Sequence, residues 1–165
     1  AALLLVVGGL AKVRSPGDTA RALHAVGIRA PFWAVRGGAA LECAVGLGLL
    51  LVASPVFAAL AALSYLAFTA FVVQALRVHS PLSTCGCFGA IDTPPSRVHV
   101  VIDVLVAISA ATVAVVGTDV SLPTVLPDQP MAGVPFLMLV AIGTGLVFLA
   151  FSSLPRTLAA VREMQ

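Results

Sequence analysis

The sequence predicts an all-α protein, an integral membrane helical bundle with five crossings, and three observations predict it. Sixty per cent of the residues are hydrophobic and ten per cent charged, with a mean hydropathy of +1.10, a composition foreign to soluble domains of this size. Apolar runs recur at the length a helix needs to cross a bilayer, about 18 to 20 residues. Proline, turn residues and charge gather between those runs. A net charge of +2, with no array of basic and aromatic residues, points to no nucleic-acid partner. Three cysteines, an odd number, close no disulfide framework.

Residues 1–13 are apolar but reach only about 20 Å as a helix, against a hydrocarbon core of about 30 Å. They are expected to be the last part of a first spanning helix. No basic leader or cleavage site marks a signal peptide. Gly8 and Gly9 suit the close approach of a neighbouring helix. Residues 14–30 change character. Ser15-Pro16-Gly17-Asp18 interrupts the helix, and Asp18 or Thr19 then caps a short segment. Ala22, Leu23 and Val26, with Arg21 and Arg29, describe a helix lying at headgroup level.

The second span covers residues 31–53. Pro31 sits at its first turn and Phe32-Trp33 anchor it at the interface. Arg36 lies about one turn inside and snorkels. Glu42 and Cys43 fall near the middle. An intramembrane carboxylate costs a few kcal/mol unless protonated or paired, so Glu42 is either a functional group or a neutral carboxyl that joins helices. Cys43 is expected to be a small core residue. Gly46 and Gly48 lack the strand-turn-helix context of a nucleotide site.

Ser54-Pro55 makes a hairpin into the third span, residues 56–78, whose small-residue face is expected at Ala59, Ala62 and Ala70. It ends at Arg77 and His79, and Pro81 stops it. The loop at 80–96 carries Thr84-Cys85-Gly86-Cys87-Phe88-Gly89, and Ser96 is the expected N-cap of the fourth span, residues 97–117. His99 and Asp103 stand four residues apart, hence on one face and on the same membrane side as the cysteine loop. An extramembrane, proline-rich connector (118–133) holds Asp119 and Asp128. A fifth span (134–154) and a basic tail complete the chain at 134–165.

Two thiols one glycine apart admit three chemistries: a strained, easily reduced disulfide, a pair of thiolates on a soft metal, or none. Gly86 supplies the backbone freedom a tight ring needs. In the redox reading Cys85 and Cys87 exchange. Arg77, Arg97, His79 and His99 then flank them with positive charge, and the start of the fourth span adds its dipole. Glu42 and Asp103 are candidates for handling the two protons that a dithiol releases. In the metal reading His79, Cys85, Cys87 and His99 form a Cys2His2 set for zinc or copper. In the structural reading the chain is an accessory subunit of a larger membrane complex.

With five crossings, the first and third connections and the tail share one side. All nine Lys and Arg residues lie there or at the adjoining helix ends. The positive-inside rule therefore puts the cysteine loop in the cytoplasm and the N-terminus outside.

Gly9-Leu10-Ala11-Lys12 closing the first helix, Glu42 with Gly46 in the second, and Cys85-Gly86-Cys87-Phe88-Gly89 after the third together resemble the methylamine utilisation MauE family, within a wider MauE/DoxX group of redox-associated membrane proteins. The resemblance covers residues 1–117. It implies a four-helix bundle in the bacterial plasma membrane that performs thiol-disulfide exchange with a thioredoxin-like protein during maturation of exported proteins. The fifth helix is additional to that bundle. Where the family pattern implies a basic-Asn pair in the fourth helix, this chain has Ile102-Asp103. Maturation of exported proteins and a cytoplasmic loop are reconciled in one of two ways: reducing equivalents enter from the cytoplasm, or the topology is inverted. The expected partners are the bilayer, the thioredoxin-like protein and subunits of a larger complex. No cofactor is required, although a quinone that reoxidises the thiols, or a zinc or copper ion, is compatible with the sequence.

Overall fold

A computed structural model describes residues 1–52, 54–78, 95–117, 121, 123 and 130–152. Its helices are α1 (Ala2–Arg14), α2 (Pro16–Ala25), α3 (Phe32–Leu51), α4 (Pro55–Arg77), α5 (Arg97–Val116) and α6 (Pro130–Ser152). Among the described residues α3, α4 and α5 are long and apolar enough to cross a membrane. The cysteine loop at 80–94, most of the connector and the tail lie outside the described residues.

Glycines set the spacing of the helices. A Cβ at Gly9 of α1 would lie 2.5 Å from the Cys43 sulfur and 2.7 Å from the Ala39 carbonyl oxygen of α3. One at Gly46 would lie 2.8 Å from the Ala2 carbonyl oxygen and from Val6. Each of these helices therefore presents a glycine to the other's backbone, the device that lets apolar helices associate where there is no hydrophobic drive. These contacts also fix the direction: Gly9 meets the earlier part of α3 and Gly46 the start of α1, so the two run antiparallel. Gly48 meets the Phe57 ring of α4 in the same way. The two glycines with no nucleotide context are packing surfaces for two different helices.

The inside is made of small residues and the outside of large ones. Leu5, Val45, Ala61, Ala62, Tyr65, Ala107 and Ala110 form one buried cluster, while Leu41, Leu47, Leu63, Leu66, Leu105 and Ile108 are exposed. An exposed leucine belt of this kind is what a lipid-facing surface requires. On α4 the buried residues are Ala58, Ala61, Ala62, Tyr65, Val72 and Ala75. Of the expected face, only Ala62 is buried; Ala59 and Ala70 are exposed, so the true stripe is rotated about the helix. A nearly all-apolar helix carries little amphipathic signal, and runs of alanine leave its phase open.

Ser15 alone separates α1 from α2. Pro16 occupies the first turn of α2 with Ser15 at the N-cap position, which corrects the cap expected at Asp18 or Thr19. The fixed φ of proline suits that first turn, and Asp18 falls inside it, paired with Arg21. The helix ends in a Schellman motif. Gly27 has φ +88°, its N–H donates to His24 and that of Ile28 to Leu23, the arrangement a left-handed glycine permits. Ser54 caps α4 by accepting from the Val56 N–H. Ser96 stands at the N-cap position of α5, as expected, but makes no side-chain cap bond. Helix α6 starts at Pro130, earlier than residue 134, contains Pro135, carries the apolar stretch Gly133–Val147 and touches α1.

Candidate functional site

Because α1, α3, α4 and α5 alternate in direction, the end of α1, the start of α3, the end of α4 and the start of α5 share one end of the bundle. Gly48 against Phe57 fixes α3 against α4, and the shared core of Ala61 and Ala62 with Ala107 and Ala110 joins α4 to α5. The segment carrying Cys85 and Cys87 leaves and returns at this end. The buried polar side chains of α1 and α5 are in that half of the molecule. Lys12, His99 and Asp103 are all buried, and the apolar cluster fills the opposite half.

Lys12 lies one turn beyond Gly9, and Glu42 lies one turn before Gly46. The close glycine contacts therefore carry the two side chains to each other. The Lys12 ammonium donates to Glu42 Oε1 at 2.8 Å and Oε2 at 2.7 Å, with side chains only 7% and 15% exposed. Such a pair is expensive to desolvate and also expensive to break, since removal of one partner strands a charge at about 3–5 kcal/mol. The ammonium also sits 4.3 Å from the centroid of the Phe68 ring, an attraction of roughly 0.5–2 kcal/mol. Phe68 meets Tyr65 edge to face, with centroids 5.7 Å apart. Tyr65 donates its hydroxyl to the Ala1 carbonyl at 2.7 Å, which ties α4 back to α1.

This pairing changes how two residues are understood. Glu42, expected as either a functional carboxylate or a neutral helix tie, is the ion-pair partner of Lys12. Lys12, counted among the cations at the rim, is buried inside the bundle. The sequence signal was the co-occurrence of a lysine near one helix end with a single intramembrane carboxylate in the next long helix.

On α5 His99, Asp103, Ala107 and Ala110 form the buried stripe, so the expected shared face of His99 and Asp103 is present and points inward. His99 Nδ1 shares a 2.8 Å hydrogen bond with the Ser96 hydroxyl. Cys43 is half-buried and a free thiol; its sulfur approaches the Val6 carbonyl at 3.7 Å, a packing role.

Cys85, Cys87 and His79 lie outside the described residues, so of the Cys2His2 set only His99 is described. Among the described residues no cluster of three or more His, Cys, Asp or Glu side chains could hold a metal ion.

The family model for methylamine utilisation protein MauE matches residues 1–117, a match that ends with α5 and contains every residue of the polar end. No curated protein and no solved structure matches the chain.

Proposed function

The chain belongs to the MauE family of methylamine utilisation proteins, and from that premise we propose that this membrane protein is a thiol-disulfide relay acting through Cys85 and Cys87. One observation carries the reading. The Cys85-Gly86-Cys87 segment joins the end of α4 to the start of α5, the end at which the bundle collects its interior charge. A thiolate of the pair attacks a partner's disulfide, a mixed disulfide forms, and the second thiolate displaces the partner's reduced sulfur. Arg77 and Arg97, which bracket the segment, favour the thiolate. The partner is a thioredoxin-like protein. The site faces the cytoplasm of the bacterial plasma membrane, because the remaining Lys and Arg residues lie on that side after Lys12 is withdrawn from the count.

The test is to trap the mixed disulfide. Full-length protein carrying Cys85→Ser or Cys87→Ser keeps one sulfur of the pair. In cells one of these variants should accumulate a covalent adduct, cleavable by dithiothreitol, whose mass-spectrometric partner is a thioredoxin-fold protein. No adduct from either variant, with both thiols alkylated under oxidising conditions, would remove the relay. Stoichiometric zinc or copper in the wild type, lost on His79→Ala, would replace it with the metal site.

A further inference from the structure

A cavity of about 540 Å³ opens between α1, α2, α3 and α4, with Leu23, Phe68, Phe71 and Gln74 in its wall and the Lys12–Glu42 pair as its charged floor. Its volume is in the range of small-molecule sites. Its walls belong mainly to membrane-crossing helices, so a ligand soluble in the lipid phase reaches it. Three properties of the wall narrow the ligand's chemistry. The ion pair is neutral as a unit, so a phosphate or carboxylate must compete with Glu42 for Lys12, at 2.7 and 2.8 Å, and a cation must compete with Lys12 for Glu42. The pair retains hydrogen-bonding capacity of both kinds: an ammonium has three N–H donors, of which two are used, and a carboxylate accepts about four bonds. Phe68 and Phe71 stand three residues apart on one face of α4, beside that pair, and offer rings to a ring.

We propose that this cavity binds the head of a lipid-soluble quinone. A neutral aromatic ring with carbonyl oxygens fits the aromatic wall. Its oxidised form accepts from Lys12 and its reduced form donates hydroxyl protons to Glu42, so one unaltered pair serves both. The redox half of the proposal rests on the relay proposed above, and the binding half does not. In the coupled step the exchange runs in the opposite direction: a partner dithiol reduces the Cys85–Cys87 disulfide and becomes a disulfide itself, and Cys85 and Cys87 then lose two electrons and two protons as their S–S bond re-forms. The quinone takes up both, and its two carbonyls become hydroxyls.

Gly38 supplies the test. It lines the cavity, and a Cβ there would meet nothing within 4 Å; the same is true of its neighbour Gly37, which is not part of the wall. Gly38→Leu therefore starts its side chain in open space on the cavity wall, and Gly37→Leu is its matched control. Full-length protein in lipid nanodiscs is titrated with decylubiquinone, with an alkylbenzene of the same chain length as competitor. Wild type and Gly37→Leu should bind saturably with equal affinity, Gly38→Leu about tenfold or more weakly, and the alkylbenzene should not compete. Unchanged binding by Gly38→Leu, no saturable binding by wild type, or equal competition by the alkylbenzene would overturn the proposal, the last revealing a groove for lipid tails. The double variant Cys85→Ser/Cys87→Ser should bind as wild type does. Quinone binding with a thiol pair that never cycles would sink the relay and leave the cavity standing; a cycling pair without quinone binding would do the reverse.

Discussion

The ammonium of Lys12 grips both oxygens of Glu42 across the α1–α3 interface, 30 residues apart in sequence. The pair is buried among apolar helices, so each charge depends on the other. Lys12→Met and Glu42→Gln should each lower stability by about 3–5 kcal/mol, and the double variant by clearly less than their sum. Thermal unfolding of the four proteins in one detergent measures the coupling. Additive losses would show that the two groups do not hold each other.

Gly9 and Gly46 set the distance across which that pair forms. Gly9→Ala pushes a methyl toward the Ala39 carbonyl oxygen, and Gly46→Ala pushes one toward that of Ala2. Backbone cannot yield as a side-chain tip can, so each should cost about 1–3 kcal/mol. Gly37→Ala, with open space around its Cβ, should be neutral or slightly stabilising. Unfolding midpoints read in parallel decide it; equal behaviour of all three variants would contradict the close-approach account.

The all-helical class and three of its apolar spans were legible in the sequence, and the partnerships were not. Length, apolar runs and the prolines at 31 and 55 mark where helices fit to cross lipid begin, and α3, α4 and α5 lie within a few residues of their expected bounds. Lys12 shows the limit. A periodic pattern reports one helix at a time, so a lysine near a helix end reads as a rim cation until a carboxylate on another helix is seen beside it. The face of α4 was misjudged for a related reason: alanine at 58, 59, 61 and 62 permits several phases, and the choice is made by α5 through Ala107 and Ala110. The cavity draws its wall from four helices, and no single stretch announces it.

His99 is fully buried on the inward face of α5, with its ring bonded to Ser96. His99→Ala leaves a void and removes that bond, and should cost about 2–4 kcal/mol. Ser96→Ala should cost about 1 kcal/mol or slightly more. Denaturation in detergent compares them. A His99→Ala protein as stable as wild type would mean that the side chain is held for reactivity alone.

Sidedness has its own consequence. With Lys12 set aside, the other eight Lys and Arg residues still favour a cytoplasmic cysteine loop. A membrane-impermeant maleimide should label Cys85 and Cys87 in inside-out vesicles and spare them in right-side-out ones, while Cys43, packed against Val6 and Gly9, stays unlabelled in both. Labelling only in right-side-out vesicles would invert the topology.

The reactivity of the two neighbouring sulfurs is measured most directly by equilibrating the full-length protein in glutathione and dithiothreitol buffers of graded potential, then counting alkylated Cys85 and Cys87 by mass. The relay predicts a single two-electron transition between roughly −300 and −120 mV, the span of exchange-active dithiols, with Cys43 unchanged throughout. Two sulfurs that stay reduced, or stay bonded, across that whole span would contradict it.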